Sequence, residues 1–431
     1  ILTLFTIVLF VADVVHPQAE KLWQHQLGCY ECGMPFLAVT DSGYTYIAHM
    51  WSGDLAIHKF DPAGRFLWEQ LYGSGGNSAT RPLAITVDEA GAVYISCAFD
   101  PDCDLLEPHV HEFVTVKFTS DGALAWQQSY AVPNTFQEMG VRDNVLTGDG
   151  YLYAYGSTGP IYATWPPDPD NPQVDSRMVL LKYDAITGNL EWSQESNFGG
   201  YYTSPCMDFG SGLVVGQNGD VYTAGIVIKD EGECFDPQEN DTTYWTQLAM
   251  LLTHHGSDGS LLKVEEYTQG PSVPCNPEYY GFFPRVRNMV GDDQGNLYAV
   301  AACSTSAAGN VHHLFKYNSS LSLQWVTEME SDITTNQTDL LVDRAGDIVF
   351  ASQWGAFKFN EAGAQIWSGQ GGSIVGCDGE NNLYVGRPYS NAIDYYDHSE
   401  VDPYPEWSVE SPGRHIWNMY VDDLGQIYTT N

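Results

Sequence analysis

The sequence predicts an all-β fold, a β-propeller built from four-stranded blades. Two kinds of β-hairpin signal alternate along the chain, and each pair of hairpins supplies four antiparallel strands. No long helical period and no low-complexity linker interrupts them. Because four-stranded units repeated radially leave few exposed sheet edges, a propeller is the architecture that this repetition favours.

The clearest hairpin unit is residues 116–126, where two apolar runs flank a polar turn with Asp121-Gly122 and the second run ends on Trp126. Asp-Gly between alternating apolar residues is a strong hairpin signal, because glycine adopts positive φ at no steric cost. The unit recurs at 59–68, 182–192, 316–325, 358–367 and 395–407, and without a tryptophan at 251–262.

A second hairpin precedes the first kind and has the form apolar-Asp-x-x-Gly-x-apolar, as in Val87-Asp88 with Gly91. Its eight copies turn at Gly43, Gly91, Gly150, Gly219, Gly295, Gly346, Asn381 and Gly425. Asparagine is a good substitute for glycine in the left-handed region. We therefore predict eight blades, with seven as the alternative. Their spacing of roughly 35–75 residues brackets the period of about 40–50 that is typical of propeller blades.

The charge balance is strongly acidic. The chain of 431 residues has 55 acidic and 17 basic residues, a formal net charge of -38, and 43% hydrophobic residues. Such a surface repels nucleic acid and anionic membranes. We therefore expect a glycan or an extracellular protein as partner, no nucleic acid, and no membrane insertion of the mature domain.

Residues 1–15 are nearly all apolar. The run is too short to span a membrane and has the length of a signal-peptide core. We predict a signal peptide at 1–19 and a single propeller domain at 20–431. The alternative is that these residues complete the last blade, since 14–24 aligns without gaps on 59–69. On both interpretations Trp23 lies in an outer strand.

The long connections of the predicted propeller gather on one face. They join strands two and three of a blade, at 99–112, 159–177 and 229–245, or successive blades, at 194–208 and 268–287. Variable loops on a rigid scaffold are where binding sites usually lie. We therefore expect the ligand on this face, which we call the loop face. The opposite turn face holds the tight hairpin turns.

Nine cysteines lie mostly in or beside those connections. In a secreted chain such cysteines form disulfides. We predict the pairs Cys97–Cys103, Cys29–Cys32 and Cys234–Cys275, and Cys377 as a free thiol.

An alternating run of carboxylates at Asp100, Asp102 and Asp104 is a candidate calcium site, because Ca²⁺ takes six to eight oxygen ligands. The glycine and the distal glutamate of an EF-hand are absent, so a solvated acidic loop is the alternative. Calcium is the only cofactor that we expect.

Four arginines stand out in a chain with few basic residues. Arg81, Arg142, Arg287 and Arg414 each lie about eight to eleven residues before the turn of a hairpin of the second kind, which joins strands one and two of a blade. That spacing places them near the start of innermost strands, at the mouth of the central channel. Guanidinium groups suit carboxylate, sulfate or phosphate ligands. The alternative is that each pairs with a neighbouring acid, such as Asp143.

Three close histidine pairs, 109/111, 254/255 and 312/313, share no common spacing, so structural roles are favoured over metal or acid–base roles. The sequence contains no GxSxG, HExxH or phosphate-binding glycine motif.

The segments KFDPAGRFLWEQLYG, VKFTSDGALAWQQSY and VDEAGAVYIS resemble the β-propeller repeats of secreted bacterial proteins, the SBBP type. The resemblance covers most of residues 20–431. It implies a propeller fold and secretion, and it supplies no catalytic motif. The blades also resemble quinoprotein propellers. However, the sequence shows neither the repeated tryptophan-docking signature of that family nor a CxxCH motif, so neither PQQ nor haem is expected.

We expect a secreted or cell-surface binding and scaffold protein without catalysis, with a glycan, a protein or calcium on the loop face. The alternative is a polysaccharide lyase or hydrolase. Its catalytic groups would be the arginines of the channel mouth and a His or Tyr base.

Overall fold

The computed structural model describes residues 2–12, 19–30, 35–73, 79–100, 112–131, 140–158, 177–196, 203–205, 212–236, 241–268, 285–305, 309–330, 338–353, 355–387, 392–397, 404–410 and 416–430. In these residues every regular element is a β-strand, and there are 33.

The chain begins with β1 (Leu2–Ala12) and β2 (Ala19–Tyr30). Blade 1 is β3 (Phe36–Val39), β4 (Thr45–Trp51), β5 (Asp54–Phe60) and β6 (Phe66–Tyr72). Blade 2 is β7 (Ala79–Val87), β8 (Val93–Asp100), β9 (Glu112–Phe118) and β10 (Leu124–Tyr130). Blade 3 is β11 (Gly140–Leu146), β12 (Tyr151–Thr158), β13 (Arg177–Asp184) and β14 (Leu190–Ser196). Blade 4 is β15 (Thr203–Pro205), β16 (Leu213–Val215), β17 (Val221–Asp236), β18 (Asp241–His255) and β19 (Leu261–Tyr267).

Blade 5 is β20 (Arg285–Gly291), β21 (Leu297–Thr305), β22 (Gly309–Tyr317) and β23 (Leu323–Glu330). Blade 6 is β24 (Thr338–Val342), β25 (Ile348–Ser352), β26 (Gly355–Phe359) and β27 (Gln365–Gly369). Blade 7 is β28 (Ile374–Cys377), β29 (Leu383–Arg387), β30 (Ala392–Tyr396) and β31 (Trp407–Glu410). Blade 8 is β32 (Asn418–Val421) and β33 (Gln426–Thr430), together with β1 and β2.

The eight antiparallel sheets confirm the predicted eight-bladed propeller. In blade 4 the position of the first strand is divided between β15 and β16, which both pair with β17. The first strands of successive blades contact one another, and β32 contacts both β28 and β3. The innermost strands therefore form a closed ring around the channel.

The ring closes through β1, which pairs with β33 and with β2, so that β2 is the outer strand of blade 8. This is the arrangement that the alternative interpretation of the N-terminus describes, although the hairpin register differs. Leu9 lies opposite Trp23, whereas the sequence alignment places Val14 at the equivalent of Lys59, which lies opposite Trp68. The signal peptide at 1–19 stays a prediction.

The hairpin turns form as the sequence predicts. All eight turn residues of the second hairpin kind have positive φ, and Asn381 adopts 68°. The carboxylate of the aspartate that opens such a turn accepts hydrogen bonds from backbone N–H groups of the turn. Asp343 Oδ1, for example, accepts from Ala345 N at 2.9 Å and from Asp347 N at 3.0 Å. These short-range bonds fix the turn independently of the rest of the fold.

Neighbouring blades are joined by buried tyrosines as well as by aliphatic packing. Tyr46 donates from its hydroxyl to Gly91 O of blade 2 at 2.7 Å, and Tyr155 donates to Ala224 O of blade 4 at 2.8 Å. A buried phenol that finds a partner contributes its apolar area without the penalty of an unsatisfied hydroxyl. Each tyrosine therefore also sets the angle at which one blade meets the next.

Tryptophans of the outer strands dock onto the next blade, a repeated contact that the sequence analysis did not recognise. The indole nitrogens of four blades each donate to a turn carbonyl of the following blade at 3.0–3.2 Å: Trp68 to Ser120, Trp126 to Ala185, Trp192 to Ser257 and Trp325 to Glu361. The indole also covers the turn glycine, since a Cβ added to Gly188 would lie 2.6 Å from Trp126.

Lysines of the third strands reinforce the same contacts. Lys59 Nζ donates to Ser120 O at 2.8 Å and Lys117 Nζ donates to Ala185 O at 2.9 Å, each above a tyrosine ring. One carbonyl thus accepts from both the tryptophan and the lysine of the preceding blade. Several of the few cations of this acidic chain therefore hold blades together on the turn face.

Candidate functional site

The candidate site is the loop-face end of the central channel, where the innermost strands begin. Each innermost strand runs toward the hairpin turns, so its first residues lie toward the loop face. The sequence analysis predicts four arginines at this end of the channel. The residues that form the channel wall there determine which ligands the site can bind.

Three innermost strands contain a β-bulge at the same distance from their turns. The register with the second strand shifts around Leu83 in β7, Arg142 in β11 and Arg287 in β20. Each of these residues lies five positions before the residue that opens the turn, namely Asp88, Thr147 and Asp292. β-Bulges locally bend a strand and re-aim side chains, and they are frequent beside functional sites.

The four predicted arginines do not share one register. Arg142 and Arg287 occupy equivalent bulge positions, and their side chains lie outside the described part of the structure. Arg81 lies two residues before the bulge of its strand, opposite Ala98; it is exposed and forms no ion pair within the described residues. Arg414 lies outside the described residues. Anion binding by these arginines stays a prediction.

Asp339 in β24 links the innermost strands of three blades. Its Oδ1 accepts from Asn288 Nδ2 of blade 5 at 3.1 Å and from Leu340 N at 2.9 Å. Its Oδ2 accepts from Val375 N of blade 7 at 3.1 Å. Burial raises the pKa of Asp339 to about 6, against the opposing effect of these three hydrogen bonds. The sequence analysis did not single out Asp339, whose polar character in an apolar strand was the available signal.

Two buried amides flank the bulges. Asn288 follows Arg287 directly, and its Oδ1 has no hydrogen-bond partner among the described groups. Asn144 donates to Ser96 Oγ of blade 2 at 3.3 Å, and its Oδ1 also lacks a partner in that part of the chain. Both residues are only 7% exposed. A buried acceptor without a partner is costly, so these oxygens mark places where a donor would be stabilised.

Asn418 forms a further side-chain hydrogen bond between neighbouring blades at the channel wall. Its amide donates to Pro35 O at 2.6 Å and to Thr430 Oγ1 at 3.2 Å, joining blade 8 to the residue that precedes β3. Asn288, Asp339 and Asn418 all lie four positions before the residue that opens the turn of their strand. A level of the channel wall is therefore polar in blades 5, 6 and 8.

The described histidines of the pairs 254/255 and 312/313 contact neighbouring groups of the fold, and their structural role stays a prediction. His254 Nε2 lies 3.0 Å from Asp220 Oδ2 and its ring stacks on Tyr222, while His255 Nε2 lies 3.0 Å from Thr253 Oγ1. Burial lowers the pKa of His255. His312 is buried against Phe350. The pair at 109/111 lies outside the described residues.

A histidine contact that the sequence analysis missed lies inside blade 1. His49 Nε2 and His58 Nε2 are 2.9 Å apart, and His58 Nδ1 is 3.5 Å from Glu69 Oε2. Burial lowers the pKa of His49. Their separation of nine residues across a hairpin carried no motif, which is why the sequence did not reveal them.

The predicted calcium and cysteine sites are only partly within the described residues. Asp100 ends β8, its side chain is not described, and Asp102 and Asp104 lie outside. The described residues contain no group of three candidate metal ligands. Calcium binding stays a prediction.

Cys97 is a free thiol in the structure and is fully buried in the apolar core between blades 1 and 2. Its predicted partner Cys103 lies outside the described residues, and the disulfide between the two stays a prediction. Cys377 is free, as expected. Cys29 and Cys234 lie in strands β2 and β17, and their disulfides with Cys32 and Cys275 stay predictions because both partners lie outside the described residues.

One predicted long connection is a regular element instead of an irregular loop. Residues 229–236 and 241–245 belong to strands β17 and β18, which pair from Val221↔His255 to Asp236↔Asp241. The sequence analysis predicted a long insert at this place but not that its described residues are strands. The alternation of Glu231, Glu233 and Phe235 with other residues was too polar to be recognised as a strand.

No helix long and apolar enough to cross a membrane occurs among the residues that the structure describes.

The comparisons with known proteins concern the fold. No family model and no curated protein matches the sequence. Among solved structures, BamB from Moraxella catarrhalis is similar with a TM-score of 0.50 and 10% identity over 93% of this chain and 98% of BamB. An inactive virginiamycin B lyase from Staphylococcus aureus, solved with quinupristin, gives 0.42 and 12% over 83% of this chain and 97% of the lyase. BamB is a β-propeller, and its similarity supports a propeller repeat fold for this chain.

Proposed function

We propose that this protein is a secreted or cell-surface binding and scaffold propeller without catalysis, whose ligand lies on the loop face. The single observation behind this proposal is the shared register of Arg142 and Arg287. Arg142 and Arg287 occupy equivalent backbone positions, at the bulges of the innermost strands of blades 3 and 5. Asn288, which follows Arg287 directly in the chain, has a buried acceptor without a described partner.

The ligand class that suits this arrangement is an anionic glycan or an acidic segment of an extracellular protein. Guanidinium groups bind carboxylate and sulfate in a bidentate manner. The formal charge of -38 makes a local pair of arginines selective, because an anion is repelled elsewhere on the surface. The blades themselves provide rigidity through the tryptophan and tyrosine contacts.

The test is binding of the purified protein to an array of anionic and neutral polysaccharides, with and without Ca²⁺. We expect Arg142→Gln and Arg287→Gln each to weaken binding of anionic polymers. Arg65→Gln is the matched control, because Arg65 pairs with Asp61 on the turn face and its loss changes the net charge equally. Equal binding by all three variants would overturn the proposed site.

Product analysis by mass spectrometry separates binding from catalysis. Intact polymer after incubation supports the proposal. Shortened or unsaturated products would instead establish the alternative, a polysaccharide lyase or hydrolase. Dependence on Ca²⁺ that is lost in Asp102→Asn would support the acidic loop at 100–104.

A further inference from the structure

Strands two and three of blade 4 extend far beyond the body of the propeller. β17 has 16 residues, whereas the equivalent strand β12 of blade 3 has eight. The register is continuous except for a bulge between Ile228 and Asp230. We call residues 229–236 with 241–248 the arm. At about 3.3 Å per residue it projects roughly 25 Å from the loop face.

The arm is two strands wide. At its base β17 is flanked by β15, which pairs only as far as Val227, and β18 is flanked by β19, which pairs only as far as Met250. Beyond these points the described strands pair with each other alone. An isolated two-stranded hairpin is marginally stable in water, and its unpaired N–H and C=O groups are a template for a further strand.

The two edges of the arm differ in charge. Residues 229–236, which form the β17 side, contain four acidic residues and one lysine, whereas 241–248 contain one acidic residue. The edge of β17 beyond Val227 also continues the line along which β15 already pairs. An added strand on that side would therefore extend an existing sheet and would meet a negative surface.

We propose that the β17 edge of the arm binds an extended, lysine- or arginine-rich polypeptide segment by strand addition. This inference goes beyond the proposed function, since it adds a second, cationic partner at another place on the same loop face. Backbone hydrogen bonds would supply affinity, and alternate basic side chains of the segment would supply specificity. The four carboxylates would raise the association rate of a cationic segment.

The probe is a fluorescein-labelled ten-residue peptide in which lysine alternates with threonine and valine, measured by fluorescence anisotropy with the full chain. We expect binding that weakens with salt. The same peptide with glutamate in place of lysine should not bind. A third peptide, N-methylated at alternate residues along one edge, should not bind either, because it cannot donate the ladder hydrogen bonds.

Two variants test the location. In the first, residues 229–247 are replaced by Asn-Gly, which joins the paired residues Ile228 and Leu248 in a tight turn; we expect it to lose peptide binding. In the second, Glu231→Gln, Glu233→Gln and Asp236→Asn together should weaken binding about tenfold. The matched control neutralises three exposed acids of the turn face, Glu89→Gln, Asp293→Asn and Glu380→Gln, and should bind as the wild type does.

Three outcomes would overturn the inference: no peptide binding, equal binding of the N-methylated peptide, or full binding by the shortened arm. If no peptide binds, the acidic residues of β17 serve only to keep the exposed edge of the arm from pairing with other chains. Measuring polysaccharide binding by the variant with the shortened arm distinguishes failure of this inference from failure of the proposed function. If it persists while peptide binding is absent from the wild type, the proposed function stands and the arm inference fails.

Discussion

Lys263 in blade 4 donates from its ammonium group to the carbonyl of Leu321 in blade 5, with Nζ and O 2.6 Å apart. Lys263 lies opposite His254, the register position that a docking tryptophan occupies in other blades. Leu321 occupies the turn position of the covered glycine, with φ of 51°. Where the indole is absent, a leucine side chain fills the space above the turn and is fully buried.

We expect the two positions to be coupled. Lys263→Trp alone should destabilise the protein, because the indole would meet the Leu321 side chain. Leu321→Gly alone should cost about 2–5 kcal/mol through the lost buried leucine, partly offset by relief of the left-handed backbone. Combining Lys263→Trp with Leu321→Gly rebuilds the contact seen between Trp192 and Gly259, so the double variant should be more stable than either single one.

The measurement is the thermal unfolding midpoint of the four proteins in a double-mutant cycle. A coupling energy near zero would contradict the claim that the Lys263–Leu321 pair replaces the tryptophan–glycine pair of other interfaces as a unit. Trp325→Lys with Gly363→Leu, the reverse exchange at the next interface, is the control.

Gly188 should tolerate alanine much less well than Gly346. Both have positive φ, 76° and 83°, so the backbone cost of about 1–2 kcal/mol is common to the two substitutions. A Cβ at Gly188 would lie 2.6 Å from Trp126, whereas Gly346 has no neighbouring atom within 4 Å. Gly188→Ala should therefore lower stability by about 1–3 kcal/mol more than Gly346→Ala. Equal unfolding midpoints would show that the indole shifts freely.

Short-range chemistry explains why the architecture could be predicted. The turns at Asp343 and Asn381 are fixed by residues within four positions, so their spacing revealed the strands and hence eight blades. The docking of Trp126 on Gly188 is different, since it depends on how far one blade rotates against the next. The same holds for Lys263, which stands where other blades have a docking tryptophan. In the sequence, the repeat without a tryptophan looked only like a degenerate copy.

The candidate site was less predictable because it depends on contacts across blades. Asp339 receives its partners from residues 51 positions earlier and 36 positions later. The equivalence of Arg142 and Arg287 appears only once the bulges set their register. The arm was missed because polar residues in a strand paired on a single side give no apolar alternation.

Asp339 should make stability fall as pH rises from about 4 to about 6. Its pKa is raised in the folded state to about 6 from an unfolded value of 3.8, so between these values the folded state binds more protons than the unfolded state. Ionisation of the carboxyl is therefore costly when the protein is folded, on the order of 1–3 kcal/mol. Asp339→Asn removes this dependence.

The comparison is between thermal unfolding midpoints of wild type and Asp339→Asn across pH 4 to 8. Their difference should shift in favour of the variant between pH 4 and 6 and stay constant above pH 7. Subtraction cancels the other titrating groups. A difference that is constant throughout, or that shifts in favour of the wild type, would show that the three hydrogen bonds outweigh burial.

Cys97 should resist alkylation in the folded protein and react once the protein unfolds. It has no exposed surface, and burial raises the pKa of its thiol, so the reactive thiolate is depleted and inaccessible. Cys377 is half-buried with a pKa raised to about 11, so it should react slowly in the folded state. The experiment is iodoacetamide labelling at pH 8, with and without denaturant, before and after reduction, read by peptide mass spectrometry. Labelling of Cys97 in denaturant confirms the free thiol. If Cys97 is labelled only after reduction, the disulfide with Cys103 forms, and the end of β8 must rearrange to bring the thiol out of the core.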